Sequence, residues 1–78
     1  MTTQQVIKTR EEIAAALKLA RVSEGKNQRQ LGREAGILGR LICYWEKGRG
    51  EPSITAAIKI AGALGMSLDN LFWEEKPE

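Results

Sequence analysis

The chain has 78 residues, 42% hydrophobic and 28% charged, with Gly and Pro together contributing ten. This is the composition of one small globular domain, and it excludes disordered and fibrous classes. Twelve Lys/Arg against ten Asp/Glu leave a net charge of +2, too small by itself to name a partner.

No apolar run approaches the roughly 18 residues that a membrane-spanning helix needs. The opening MTTQQVIKTREE has no apolar stretch behind its charges, so no signal peptide is expected. The single cysteine, Cys43, leaves a core without internal disulfides, which fits a reducing, cytoplasmic setting. The catalytic inventory is poor. There is no His, Asp69 is the one Asp, and Ser23, Ser53 and Ser67 all stand where helices start or stop. No Cys/His cluster fits a metal, and no nucleophile has a base beside it. Gly48-Arg49-Gly50 lacks the Lys-Ser/Thr ending of a phosphate-binding loop. A non-enzymatic protein without cofactor is expected.

The charge is unevenly spread. Residues 1–50 carry ten Lys/Arg against five Asp/Glu, whereas residues 51–78 carry two against five. Such a split presents one face to a polyanion and another that avoids it.

Residues 1–8 read as a flexible arm, residues 9–73 as one domain of five helices, and residues 74–78 as an exposed acidic tail. No stretch alternates with period two, so no strand is expected. Thr9-Arg10-Glu11-Glu12 has the form of a capping box and opens a first helix with Ile13, Ala16, Leu17 and Ala20 inward, ending near Ser23 and Gly25. Asn27 caps a short second helix, about Gln28 to Ala35, with Leu31 and Ala35 inward and Gly36 as its left-handed stop. The third helix runs from about Leu38 to Lys47. Leu38, Leu41, Ile42 and Trp45 form its expected inward face. Ser53 caps a fourth helix with Ile54, Ala57, Ile58, Ala61 and Leu64 as its apolar positions. Ser67 caps a fifth, of one or two turns, carrying Leu68, Leu71 and Phe72.

Two short helices joined by a tight glycine turn form a helix-turn-helix, in which the second helix enters the major groove of DNA. Gln28-x-x-Leu31-Gly32-x-x-x-Gly36-Ile37, followed by Ile42-x-x-Trp45-Glu46-x-Gly48, resembles the phage repressor/Cro family of helix-turn-helix regulators. Pro52-Ser53 and Ile60-Ala61-x-x-Leu64-Gly65-Met66-Ser67-Leu68-Asp69-x-Leu71-Phe72 extend the likeness over residues 11–73. The resemblance implies an all-α, lambda-repressor-like domain of five helices. It implies a sequence-specific transcriptional regulator, a repressor, that binds a pseudo-palindromic operator as a homodimer.

By that resemblance the base-reading positions are Gly39, Arg40, Cys43 and Tyr44. Arg40 has the fork that matches guanine O6 and N7. Asn27, Gln28, Lys47 and Arg49 match phosphate contacts, and Gln28 also sits at a helix N-terminus, where the backbone favours an anion. Arg29 and Arg33 add to the field. Arg21 and Glu46 match a structural ion pair between the first and third helices. Leu68, Phe72 and Trp73 match the region through which family dimers often meet. Three residues depart from the pattern: Leu38 replaces a Ser/Thr cap, Gly39 a long polar reader, and Gly32 an alanine. The glycines and the missing cap are expected to weaken the two helices by roughly 0.5–1 kcal/mol each. A second class stays open, a protein-interaction module on the same fold such as the antitoxin partner of a toxin.

Overall fold

A computed structural model describes the backbone of residues 3–77 and the side chains of residues 6–74. In chain order the elements are β1 (Thr3–Ile7), α1 (Arg10–Ser23), α2 (Gln28–Ala35), α3 (Gly39–Glu46), α4 (Ile54–Leu64), α5 (Leu68–Phe72) and β2 (Trp73–Pro77). The helices begin where short polar side chains satisfy their first N–H groups. The Thr9 hydroxyl accepts from the Glu12 N–H at 3.2 Å, and the Glu12 carboxylate accepts from the Thr9 N–H at 2.9 Å. Asn27, Ser53 and Ser67 accept in the same way from Gln30, Ala56 and Asn70. α3 alone starts without a side-chain cap, because Leu38 stands at that position.

Each helix sends one large side chain to the centre: Leu17, Leu31, Ile42, Ile60 and Leu71 are all under 2% exposed. Burial of each stabilises the fold by about 1.5–3 kcal/mol. Ala35, Trp45, Ala57 and Leu64 close the cluster. α2 packs on α3 and α4, while α1 packs on α3 and α5. No helix is long and apolar enough to cross a membrane among the described residues.

Two sequence expectations are corrected. Where a flexible arm (1–8) and an exposed tail (74–78) without strands were expected, Thr3–Ile7 and Trp73–Pro77 form an antiparallel ribbon, with Thr3 opposite Pro77 and Ile7 opposite Trp73, while residues 1, 2 and 78 lie outside the described residues. The two strands thus meet beside α5, and the Lys8 N–H donates to the Phe72 carbonyl at 2.7 Å where the ribbon joins the helices. The inward faces of α3 and α4 are also narrower than expected. Leu38 (57% exposed), Leu41 (40%), Ile54 (72%) and Ile58 (56%) face solvent. A core this thin accepts only the middle of each apolar stripe, so α3 buries Ile42 and Trp45, and α4 buries Ile60 rather than Ile58.

Candidate nucleic-acid interface

α2 and α3 meet at a turn of three residues. Gly36 closes α2 with φ 72°, Ile37 follows, its N–H bonded to the Gly32 carbonyl at 2.7 Å, and Leu38 is extended. The left-handed backbone at Gly36 is one that a side chain would strain. Gly32 is required for a different reason. A Cβ there would lie 2.5 Å from the Ile37 carbonyl oxygen and 3.0 Å from the Gly39 nitrogen. A Cβ on Gly39 would lie 3.2 Å from the Arg29 Cα. The two glycines expected only to weaken their helices therefore form a seam along which α2 and α3 approach backbone to backbone. The seam was missed in the sequence; a glycine on each side of the turn, Gly32 before it and Gly39 after it, is the signal that could have found it.

A single carboxylate holds the arrangement from below. Glu46 accepts from Arg21 Nε at 2.7 Å and from Arg21 Nη2 at 2.9 Å, a bidentate pair, and from Gln28 Nε2 at 3.2 Å. Arg21 Nη1 donates to the Lys26 carbonyl at 2.8 Å. The side chains of Arg21 and Glu46 are only 11% and 3% exposed. α1, α2 and α3 are thus tied at one point. The hydrogen bonds to Glu46 hold the Arg21 guanidinium above its usual pKa; burial opposes this, and the Coulomb attraction of Glu46 reinforces it.

Opposite this anchor, α3 faces solvent with Arg40, Tyr44 and Lys47 exposed and Cys43 half-buried. These positions share one side of the helix because they recur three and four residues apart. The Tyr44 ring lies against Gly50, where a Cβ would come within 2.7 Å of Cε2, so the ring is propped on the following turn while remaining 46% exposed. Leu41 flanks the same surface, a placement its apolar character had concealed. Gly39 brings backbone alone to the leading turn.

Around α3 lie the exposed cations Arg29, Arg33, Lys47 and Arg49. With Arg40 they make five, and none is in an ion pair among the described residues. The acidic residues of this stretch are engaged elsewhere: Glu46 by Arg21, and Glu34 by Lys26 at 3.2 Å. Asn27 caps α2, and its side chain is committed to the Gln30 N–H at 2.7 Å. On the far side, Leu68 and Phe72 pack partly against the core, while Trp73 is 41% exposed. Trp73, Ile7 and Ile54 edge a shallow groove of about 280 Å³ there.

A family model described as helix-turn-helix (HTH_3) matches residues 17–71. The chain is 33% identical over 60 residues to an HTH-type transcriptional regulator of Bacillus subtilis, YgzD, covering 77% of this chain and 91% of that one. Its fold is similar to that of the hypothetical transcription factor NHTF from Neisseria, with TM-score 0.76 and 28% identity over 82% of this chain and 74% of that chain. It is similar also to the clp gene regulator ClgR of Corynebacterium glutamicum, with TM-score 0.73 and 29% identity over 80% of each chain. With a tight glycine elbow between two short helices, and a family match spanning more than two thirds of its length, the chain belongs to the helix-turn-helix (HTH_3) family of DNA-binding transcriptional regulators of the phage repressor/Cro type.

Proposed function

We propose that this protein is a sequence-specific repressor that binds operator DNA as a homodimer and lays α3 in the major groove. The observation that carries the reading is the solvent face of α3, where Arg40 and Tyr44 stand in a group of five cations, Arg40 included, none in an ion pair among the described residues. Arg40 reads guanine through O6 and N7, and Tyr44 and Cys43 contact neighbouring base edges. Leu41 offers an apolar surface to a thymine methyl. Gly39 contributes no reading side chain and lets the backbone approach the bases closely.

Lys47 and Arg49, at the exit of α3, bind the phosphates on one side of the groove. Asn27 and Gln28 at the start of α2 bind them on the other, where free N–H groups face an anion. Gln28 acts in two ways, since its amide also donates to Glu46 and so fixes α3 relative to the phosphate-binding end of α2. Two copies meet through Leu68, Phe72 and Trp73, presenting two recognition helices about 34 Å apart, one turn of duplex. No catalytic step is involved.

Enrichment of bound sequences from a random duplex pool tests the reading. A two-fold-symmetric consensus with a guanine that Arg40→Ala ceases to select supports it. Failure to enrich any sequence, with no salt-dependent affinity for random duplex, overturns it in favour of a protein-binding module.

A further inference from the structure

The β1–β2 ribbon is too small to stand alone. A two-stranded ribbon in water is at best marginal, and stable ones are extended by further strands or covered. Among the described residues no third strand joins it; β1 packs chiefly on β2, and β2 otherwise on α5. The hydrogen-bond phase says which backbone groups are left over. The Lys8 N–H donates to the Phe72 carbonyl, and antiparallel partners alternate between bonded and non-bonded pairs. Gln4, Val6 and Lys8 therefore turn their N–H groups toward β2. Thr3, Gln5 and Ile7 turn theirs outward. On β2 the outward positions are Trp73, Glu75 and Pro77.

The two free edges are not equivalent. β2 has a proline at an outward position, which has no N–H to give, and its sequence WEEKP is charged. Both features discourage pairing. β1, with the sequence TQQVI, has no proline and no charge. An edge of this kind accepts another strand. Joining two β2 edges about Glu75 would set that residue against its own copy, whereas joining two β1 edges opposes no ionisable residue. The β1 edge also ends at Ile7, 60% exposed, beside Trp73 and Ile54 in the apolar groove.

We propose that the β1 edge pairs antiparallel with β1 of a second copy of the chain, about a two-fold axis at Gln5, forming a four-stranded sheet in the order β2, β1, partner β1, partner β2. This rests on the homodimer reading above but moves the main contact from Leu68, Phe72 and Trp73 to the β1 edge beside them. Centring on Gln5 sets Thr3 opposite Ile7 of the other copy, so Thr3, Gln5 and Ile7 of both strands donate, making about six new hydrogen bonds. The contact uses the same patch on both copies and closes on itself.

Residue-resolved amide hydrogen exchange of the wild-type chain, with its mass in solution measured by light scattering, tests the pairing. The expected result is a dimer in which Gln5 and Ile7 are protected along with Val6 and Lys8. A dimer that protects only the alternate amides, Gln4, Val6 and Lys8, overturns the β1 pairing and leaves the homodimer reading standing. A monomer up to high micromolar concentration overturns both. Gln5→Pro removes one outward donor per copy and is expected to raise the dimer dissociation constant roughly tenfold or more. Gln5→Glu sets a negative residue opposite its own copy and is expected to weaken the dimer as well. Helical circular dichroism should be unchanged in both variants. Unaltered dimerisation in both also overturns the pairing.

Discussion

Arg21→Ala is expected to lower stability more than any neighbouring charge deletion. It strips Glu46 of two of its three donors and leaves the carboxylate, 3% exposed, with Gln28 Nε2 at 3.2 Å. The Lys26 carbonyl loses its guanidinium donor as well. Removing one partner of a buried ion pair costs about 3–5 kcal/mol, because the remaining charge stays out of water without compensation. A domain of this size has roughly 4–12 kcal/mol of stability in total. The variant should therefore melt about 12 °C or more below wild type.

Thermal and urea unfolding followed by circular dichroism measure this, with Lys18→Ala as the exposed control, expected within about 0.5 kcal/mol of wild type. Glu46→Gln in the Arg21→Ala background removes the stranded charge and should recover part of the loss. The raised Arg21 pKa fixes the pH dependence. Stability linked to a raised basic group is fully present below its unfolded pKa and is lost only as pH climbs through the folded one. For a guanidinium that window is strongly alkaline. The gap between Arg21→Ala and Lys18→Ala should thus be the same at neutral and mildly alkaline pH. Equal melting temperatures for the two variants would refute the reasoning.

Gly32→Ala should destabilise by about 1–3 kcal/mol in urea unfolding, despite the better helix propensity of alanine, because its Cβ meets the Ile37 carbonyl at 2.5 Å. A stabilised variant would mean that the seam relaxes freely. Arg40→Ala should cost about 1–3 kcal/mol of affinity for the selected sequence in a fluorescence anisotropy titration, and much less on random duplex. Equal losses on both would assign Arg40 to phosphate. Lys47→Ala and Arg49→Ala should each lower the slope of log affinity against log salt by about 0.9, on any sequence.

The helical part of the fold was legible because its punctuation is local. Thr9, Asn27, Ser53 and Ser67 cap within three residues of themselves, and Gly36 and Gly65 end helices in the left-handed conformation. The ribbon was not, since Thr3–Ile7 and Trp73–Pro77 carry no strong alternation and are made strands by each other from opposite ends of the chain. The solvent side of α3 was visible in the spacing of Arg40, Cys43, Tyr44 and Lys47. Its apolar border was not, because periodicity gives the direction of Leu41 but not the depth of the core beneath it. The seam at Gly32 and Gly39 was hidden for a related reason. Propensity scores a glycine within its own helix, and the approach that demands it comes from the neighbouring one.

That bare seam also limits how the protein can change its target. A side chain introduced at position 39 would set its Cβ 3.2 Å from the Arg29 Cα, so α2 would have to give by a few tenths of an ångström. On the proposed DNA-binding reading, a change at Arg40, Cys43, Tyr44 or Leu41, farther along α3, asks no such shift of α2. The leading turn accepts a new side chain only if α2 and α3 part slightly at the elbow.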